Sequence, residues 1–366
     1  MNKLLNKLML FYVAVTLVAV PMQSYAAEKK SHKRVSTSQK GVASKSRIST
    51  TIRTNNSRVK KIQYKSRVPR RASTLSPAQY LAADRFDGSG MLQLASTKAL
   101  IINQNTGEVV YAKNTNAPTP IASITKLMTA MVMLDAQLSL DDILIVTDED
   151  VDYLKRTSSR LRVGATLSRS DMLQLALMAS ENRAASAISR YYPGGRFAFV
   201  KAMNVKAIGI GMINTHFADP TGLDSNNLST AEDLAKMVQA AYQYPEIRLA
   251  STSPSHEVYV NGYTNGVNFN NTNALVRAGQ WQIGLSKTGY ITEAGRCLVM
   301  QAEIAGEPMI IVLLDSNGKM TRIGDANRVR KWVEFNTEQK PTTTGQANIF
   351  DIEPAQNNEV TVGRIS

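Results

Sequence analysis

The stretch Pro120-Ile121-Ala122-Ser123-Ile124-Thr125-Lys126-Leu127-Met128-Thr129-Ala130-Met131 carries a helical stripe with one residue out of place. Ile124, Leu127, Met128, Met131 and Val132 recur at the spacing of a core-facing helix. Pro118 and Pro120 lie just upstream, where helices start. Ser123 therefore belongs to the first turn, whose free N–H groups and dipole favour developing negative charge. Lys126, three residues on, shares a face with its hydroxyl. A lysine among Ile, Leu and Met is the odd residue. Burial disfavours the ammonium and lowers its pKa, which a lysine needs to act as a base. The stretch reads as a serine nucleophile with its own proton acceptor.

Ser-x-x-Lys is a cheap spacing, and a lysine on a helix is usually solvated. Ser57/Lys60 and Ser316/Lys319 match it too, but one lies in a polar run and the other in a turn. Two further elements single out the first match. Ser180-Glu181-Asn182 breaks an apolar helix with three polar residues, costly unless their hydrogen bonds are used. Lys287-Thr288-Gly289 follows the apolar stretch Trp281–Leu285 and belongs on a strand, where a cation and a hydroxyl can grip a carboxylate. Gly289 there lets a ligand approach the backbone closely. Ser225-Asn226-Asn227 is another Ser-x-Asn, without that context. The three elements in this order form a strong combined motif.

Outward from these motifs the chain divides by composition. Residues 1–26 have Lys3 and Lys7, an apolar run too short to span a membrane, and Ser24-Tyr25-Ala26, the pattern of a signal peptide cut after Ala26. No Cys lies near the cut, which excludes a lipid anchor, and the mature protein is expected in the periplasm. Residues 27–75 hold 15 Lys and Arg against Glu28 alone, a surplus equal to the whole net charge of +14. This run, read as an arm over residues 27–85, buries too little to fold and is expected to be disordered. Its charge suits an anionic wall polymer or membrane surface, and export makes nucleic acid the least fitting polyanion. Residues 86–336 are the expected catalytic domain, long enough for one sizeable core, and 337–366 a polar tail without an amphipathic anchor.

Within the domain, Lys98–Ile102 and Val109–Lys113 flank a hairpin turn, and Ile143–Val146 reads as a short strand. Ser170–Ala179 reads as a capped, buried helix, with Ala184–Ser189, Phe197–Ile208 and Ala231–Ala241 further helices. Tyr244-Pro245 reads as the turn that ends the last of these. Cys297–Ile304 and Met309–Asp315 form a late hairpin over Ala305-Gly306-Glu307-Pro308, and Arg322–Phe335 a closing helix. Early hairpin, central helices and late hairpin predict an α+β fold: an antiparallel sheet joining both chain ends, with helices on both faces. Cys297, the single cysteine, reads as a small buried apolar residue. His32, His216 and His256 are scattered, with no metal-ligand spacing, and nothing favours their meeting a serine.

With these motifs in place, the sequence resembles the penicillin-recognising serine DD-peptidases, the low-molecular-mass penicillin-binding proteins. Pro120–Ala130, Leu175–Ala185 with Tyr192-Pro193-Gly194-Gly195, Asn271-Thr272-Asn273 and Lys287-Thr288-Gly289-Tyr290 carry the likeness, which runs from about residue 95 to 335 and is strongest toward the family's endopeptidases. The resemblance implies a β-lactamase/DD-peptidase-like fold and no cofactor or metal. It implies Ser123 as acylated nucleophile, Lys126 as proton acceptor and Ser180 as relay to the leaving amine. Asn182 would contact the substrate backbone, Lys287 and Thr288 the terminal carboxylate. The N–H groups of Ser123 and Tyr290 would form the oxyanion hole. Partners would be peptidoglycan stem peptides and cross-links, with β-lactams as covalent inhibitors. The basic arm departs from the family pattern. A D-Ala-D-Ala carboxypeptidase is the first rival reading. A class A β-lactamase is the second, though it needs a Glu-x-x-Leu-Asn base where this chain reads Phe217-Ala218-Asp219-Pro220-Thr221-Gly222-Leu223. An inert wall-binding scaffold is the third, and the intact motifs argue against it.

Overall fold

A computed structural model describes residues 91–261 and 264–338. The expected signal peptide, the expected basic arm, the first residues of the expected domain and the tail beyond Glu338 lie outside the described residues. Five strands form the main sheet: β1 (Lys98–Asn103), β2 (Val109–Lys113), β3 (Ile283–Ile291), β4 (Gly295–Ile304) and β5 (Glu307–Ser316). Their order is β2-β1-β5-β4-β3, every pair antiparallel. The last strand thus lies beside the first, with Leu100 opposite Val312 and Ile102 opposite Ile310.

The run Met309–Leu314 is apolar without alternation because both of its faces are covered. Ile310, Val312 and Leu314 point into a large core shared with the central helices. Met309, Ile311 and Leu313 meet Ile323, Ala326, Val329 and Val333 of the closing helix on the opposite face. The central helices are α1 (Lys126–Asp135), α2 (Arg169–Gln174), α3 (Asn182–Arg190), α4 (Gly195–Gly209), α5 (Ala231–Ala241), α6 (Pro245–Thr252) and α7 (Ala274–Ala278), and the closing helix is α8 (Thr321–Glu338). The architecture is the expected α+β one, an antiparallel sheet between two helical layers. Among the described residues no helix is long and apolar enough to cross a membrane.

Several local expectations are corrected. The helix expected over Ser170–Ala179 is capped two residues earlier: Ser168 accepts from the N–H of Asp171. It is α-helical only to Gln174 and widens into a π turn over Leu175–Ala179. Pro245 opens α6 instead of only ending α5, since a proline at a first helical position gives up an N–H that would be unpaired anyway. The late hairpin turns on Ala305 and Gly306 alone, both at positive φ as a two-residue turn requires, so Glu307 and Pro308 already belong to β5. The closing helix runs to Glu338, into the segment expected to be tail.

Candidate active site

Ser123 sits in a 3₁₀ turn, Ala122–Thr125, that leads directly into α1. Two close approaches hold this turn. Gly222, at φ +80°, lies so near that an added Cβ would stand 1.9 Å from the Ala122 carbonyl oxygen. A Cβ on Gly289 of β3 would stand 2.9 Å from the Ile121 oxygen and 3.2 Å from the Ser123 nitrogen. Ala122 itself adopts φ +48°, a left-handed conformation that costs a non-glycine residue energy unless its surroundings enforce it. The Ser123 turn is clamped between a loop glycine and a strand glycine.

Lys126 is fully buried, and its amine donates to Ser123 Oγ at 2.9 Å, Asn182 Oδ1 at 2.7 Å and the Thr221 carbonyl at 2.6 Å. Burial pushes its pKa down to about 7, and the carboxylates of Asp219, Glu181 and Asp152 partly oppose that. An amine at such a pKa, hydrogen-bonded to a hydroxyl, can exchange a proton with it near neutral pH.

Ser180 leaves the π turn at φ +61°, and α3 begins at Asn182. The wide turn with one left-handed residue turns Ser180 and Asn182 toward the cleft, and single-turn π bulges recur at functional sites. Ser180 Oγ accepts from Lys287 Nζ at 2.8 Å. Lys287 also donates to the Thr288 carbonyl at 3.0 Å. Two serine–lysine pairs therefore face the same cleft, one from the helical layer and one joining it to the sheet edge. Lys287 is 1 % exposed, and its pKa is pushed well below that of an ordinary amine, first by burial and then by Lys126 and Arg322. Thr288 Oγ1 donates to Thr272 Oγ1 at 2.6 Å, and Asn273 Nδ2 donates to Ser286 Oγ at 2.9 Å, so Asn271-Thr272-Asn273 buttresses β3. Tyr290 stands at the exposed end of that strand.

Hydrogen bonds thus tie Lys126 to Ser123 and Asn182 and Lys287 to Ser180, while Thr288 and Tyr290 flank Gly289, the β3 residue packed against the Ser123 turn. Several neighbours were not anticipated. Thr221 contributes a backbone carbonyl, and its loop is shaped by Asp219, which accepts from the N–H groups of Thr221, Gly222 and Asp224. With its oxygens engaged in this way, Asp219 is a scaffold for the loop. Asn227, the residue of the second Ser-x-Asn, is fully buried and ties Thr125 Oγ1 to that loop. Thr157 accepts from Asn182 Nδ2 at 3.0 Å and so orients its oxygen toward Lys126. Arg322 donates to the Gly289 carbonyl at 3.1 Å from the start of α8, and no motif announced it. Ser316, of the second discounted Ser-x-x-Lys, is buried at the end of β5 against Ser96. His256 bonds Asp171 at 3.0 Å, and Cys297 is buried with its thiol pKa pushed up to about 11.

Comparison with known proteins agrees with this geometry. Residues 86–318 match the S11 peptidase family, described as D-alanyl-D-alanine carboxypeptidase. The chain is 49 % identical over 242 residues to a D-alanyl-D-alanine endopeptidase of Pseudomonas aeruginosa, covering 66 % of this chain and 78 % of that one. It is 47 % identical over 242 residues to a D-alanyl-D-alanine endopeptidase of Escherichia coli, with the same coverage. Among solved structures, the Streptomyces K15 DD-transpeptidase superposes with a TM-score of 0.62 at 28 % identity, over 67 % of this chain and 98 % of that one. A serine–lysine pair at a helix start, a second pair at the sheet edge and these likenesses lead to one conclusion: the chain belongs to the D-alanyl-D-alanine carboxypeptidase family and is a serine DD-peptidase.

Proposed function

We propose that the protein is an exported, periplasmic DD-peptidase that cleaves D-Ala-containing peptide cross-links of peptidoglycan through an acyl-enzyme on Ser123. The observation that carries this reading is the 2.9 Å contact between Ser123 Oγ and a buried Lys126 amine with a pKa of about 7. Lys126 takes the hydroxyl proton as Ser123 Oγ attacks the D-Ala carbonyl carbon. The N–H groups of Ser123 and Tyr290 receive the oxyanion. The C–N bond breaks as a proton reaches the leaving amine through Ser180, which gives an ester on Ser123. Water then hydrolyses the ester and returns the proton to the serine. Asn182 bonds the substrate backbone, and Lys287 with Thr288 holds the terminal carboxylate.

Preference for the cross-link over a terminal D-Ala rests on the endopeptidase names of both relatives. The basic arm, outside the described residues, holds the enzyme near the anionic wall by its +14 surplus without entering the chemistry. The test is incubation with purified cross-linked and uncross-linked muropeptides. Conversion of dimers to monomers supports the reading, and release of terminal D-Ala with dimers left intact would make it a carboxypeptidase.

A further inference from the structure

Tyr290 and Arg296 are directly opposed on β3 and β4. The guanidinium carbon of Arg296 lies 4.4 Å from the centre of the Tyr290 ring, and Tyr290 is 54 % exposed. Thr288 and Leu298 form the pair two residues further along the same face, about 7 Å away at strand spacing. Among the described residues Arg296 makes no ion pair, and Glu293, the acid in the adjoining turn, is taken by Lys155. Arg322 lies next inward under Gly289, itself lowered in pKa by burial and by Arg296. Lys287, Arg322 and Arg296 thus run outward from the substrate strand, and among the described residues none of the three is ion-paired. Like charges set side by side repel, and an anion bound among them relieves that cost. An Arg held over an aromatic ring is preorganised, with N–H groups left to meet a carboxylate.

We propose that Tyr290 and Arg296 form a leaving-side subsite for a second carboxylate. That carboxylate is borne by the amino acid released when the bond is cut, and its first carboxylate rests at Lys287 and Thr288. The proposal rests on the DD-peptidase reading above and adds the chemical class of the leaving group. It is a D-amino acid whose carbon chain crosses the Tyr290 ring and ends in an acid roughly two strand residues, about 7 Å, from the first. Such a subsite favours a leaving residue with a second free carboxylate over a simple terminal D-Ala.

The test compares three N-acetylated peptides with the full chain, ending in D-Ala-D-Ala, D-Ala-D-2-aminopimelate and D-Ala-D-2-aminoheptanoate. The last two share a chain and differ in the distal carboxylate. The aminopimelate peptide should have kcat/KM roughly three- to tenfold above the aminoheptanoate one, the scale of one partly exposed charge pair. Added salt should lower that ratio. Arg296→Gln should bring it to about one, and Arg296→Lys should keep part of it. In both variants D-Ala-D-Ala cleavage and penicillin acylation should stay within about twofold of the parent, as for a group beyond the reacting atoms. A ratio near one in the parent, independent of salt, overturns the subsite even if no variant folds. So does a ratio that survives Arg296→Gln. Cleavage of D-Ala-D-Ala with a flat ratio removes the subsite alone, whereas cleavage of none of the three peptides removes the DD-peptidase reading and the subsite with it.

Discussion

The two walls of the cleft each present a buried lysine, but they solve the problem of burying it differently. On the helical wall, Lys126 has three oxygen acceptors, and three carboxylates oppose its loss of charge. On the strand wall, Lys287 has two acceptors, and its charged neighbours are cations. The helical wall is complete without substrate and holds its lysine near neutrality. Among the described residues the strand wall offers Lys287 no counter-ion, which is the place the proposed substrate carboxylate would take. The difference fits the proposed roles, Lys126 as the group that moves a proton and Lys287 as the one that waits for an anion.

The largest test of this contrast removes the nucleophile. Ser123→Ala should leave no covalent penicillin adduct by mass spectrometry, a loss on the scale of about 10⁶ for an essential nucleophile. An adduct persisting in that variant would place the nucleophile elsewhere.

Exchanging the lysines for arginine comes next. Lys126→Arg should cut penicillin acylation by roughly 10²–10⁴, since a guanidinium gives up no proton. Lys287→Arg should keep a measurable part, on the order of a tenth, because the cation for the carboxylate survives in altered geometry. Stopped-flow acylation rates that ranked the two in the opposite order would exchange the roles of the walls.

Gly222→Ala tests the clamp on the nucleophile turn. Its Cβ would collide with the Ala122 carbonyl at 1.9 Å, and φ is +80°. A loss of about 2–3 kcal/mol in a denaturant titration is expected. Unchanged stability would show that the loop can retreat from Ser123.

The pH profile gives a finer measure. Acylation should rise with pH through a midpoint of about 7 as Lys126 loses its proton. Glu181→Gln removes a carboxylate that favours the charged amine, so the midpoint should move to lower pH. The same lowered pKa makes stability increase with pH between about 7 and 10.5, where the unfolded lysine holds a proton that the folded one does not. A midpoint that stayed put would mean that Glu181 does not act on Lys126.

The smallest effect concerns the arm. A protein starting near Thr74 should cleave small muropeptides as fast as the mature form and pellet less with sacculi only at low salt. Equal pelleting at low salt would make the arm a spacer.

What could be read in advance divides along a physical line. Ser123 and Lys126 were legible because helical periodicity places them on one face, and Lys287 because a charged residue interrupts an apolar strand. Ser180 and Asn182 were legible as polar residues breaking a buried helix. Thr221 was not, because it contributes a backbone carbonyl and any residue has one. Arg322 was not, because its position under Gly289 exists only once α8 packs on the sheet. Asn227 was set aside for lacking helical context, yet a buried asparagine in a loop has several hydrogen bonds to offer, and here it makes them. The π turn after Gln174 was hidden for a similar reason: apolar residues satisfy an α or a π turn alike, and the tertiary contacts choose.

The adjacency of the first and last strands also orders events in time. The Ser96 N–H donates to Asp325 Oδ2 at 2.7 Å across 229 residues of chain, and β5 fits between β1 and β4. Contacts of such separation must overcome loop-closure entropy before they repay it, which slows folding. Before β5 arrives, the β1–β2 hairpin is a two-stranded ribbon, marginal in water. In chain order Ser123 precedes β3, whose Gly289 packs against its turn, and β3 joins the sheet through β4 and β5. The surroundings of Ser123 are therefore complete only once the last strand is in place.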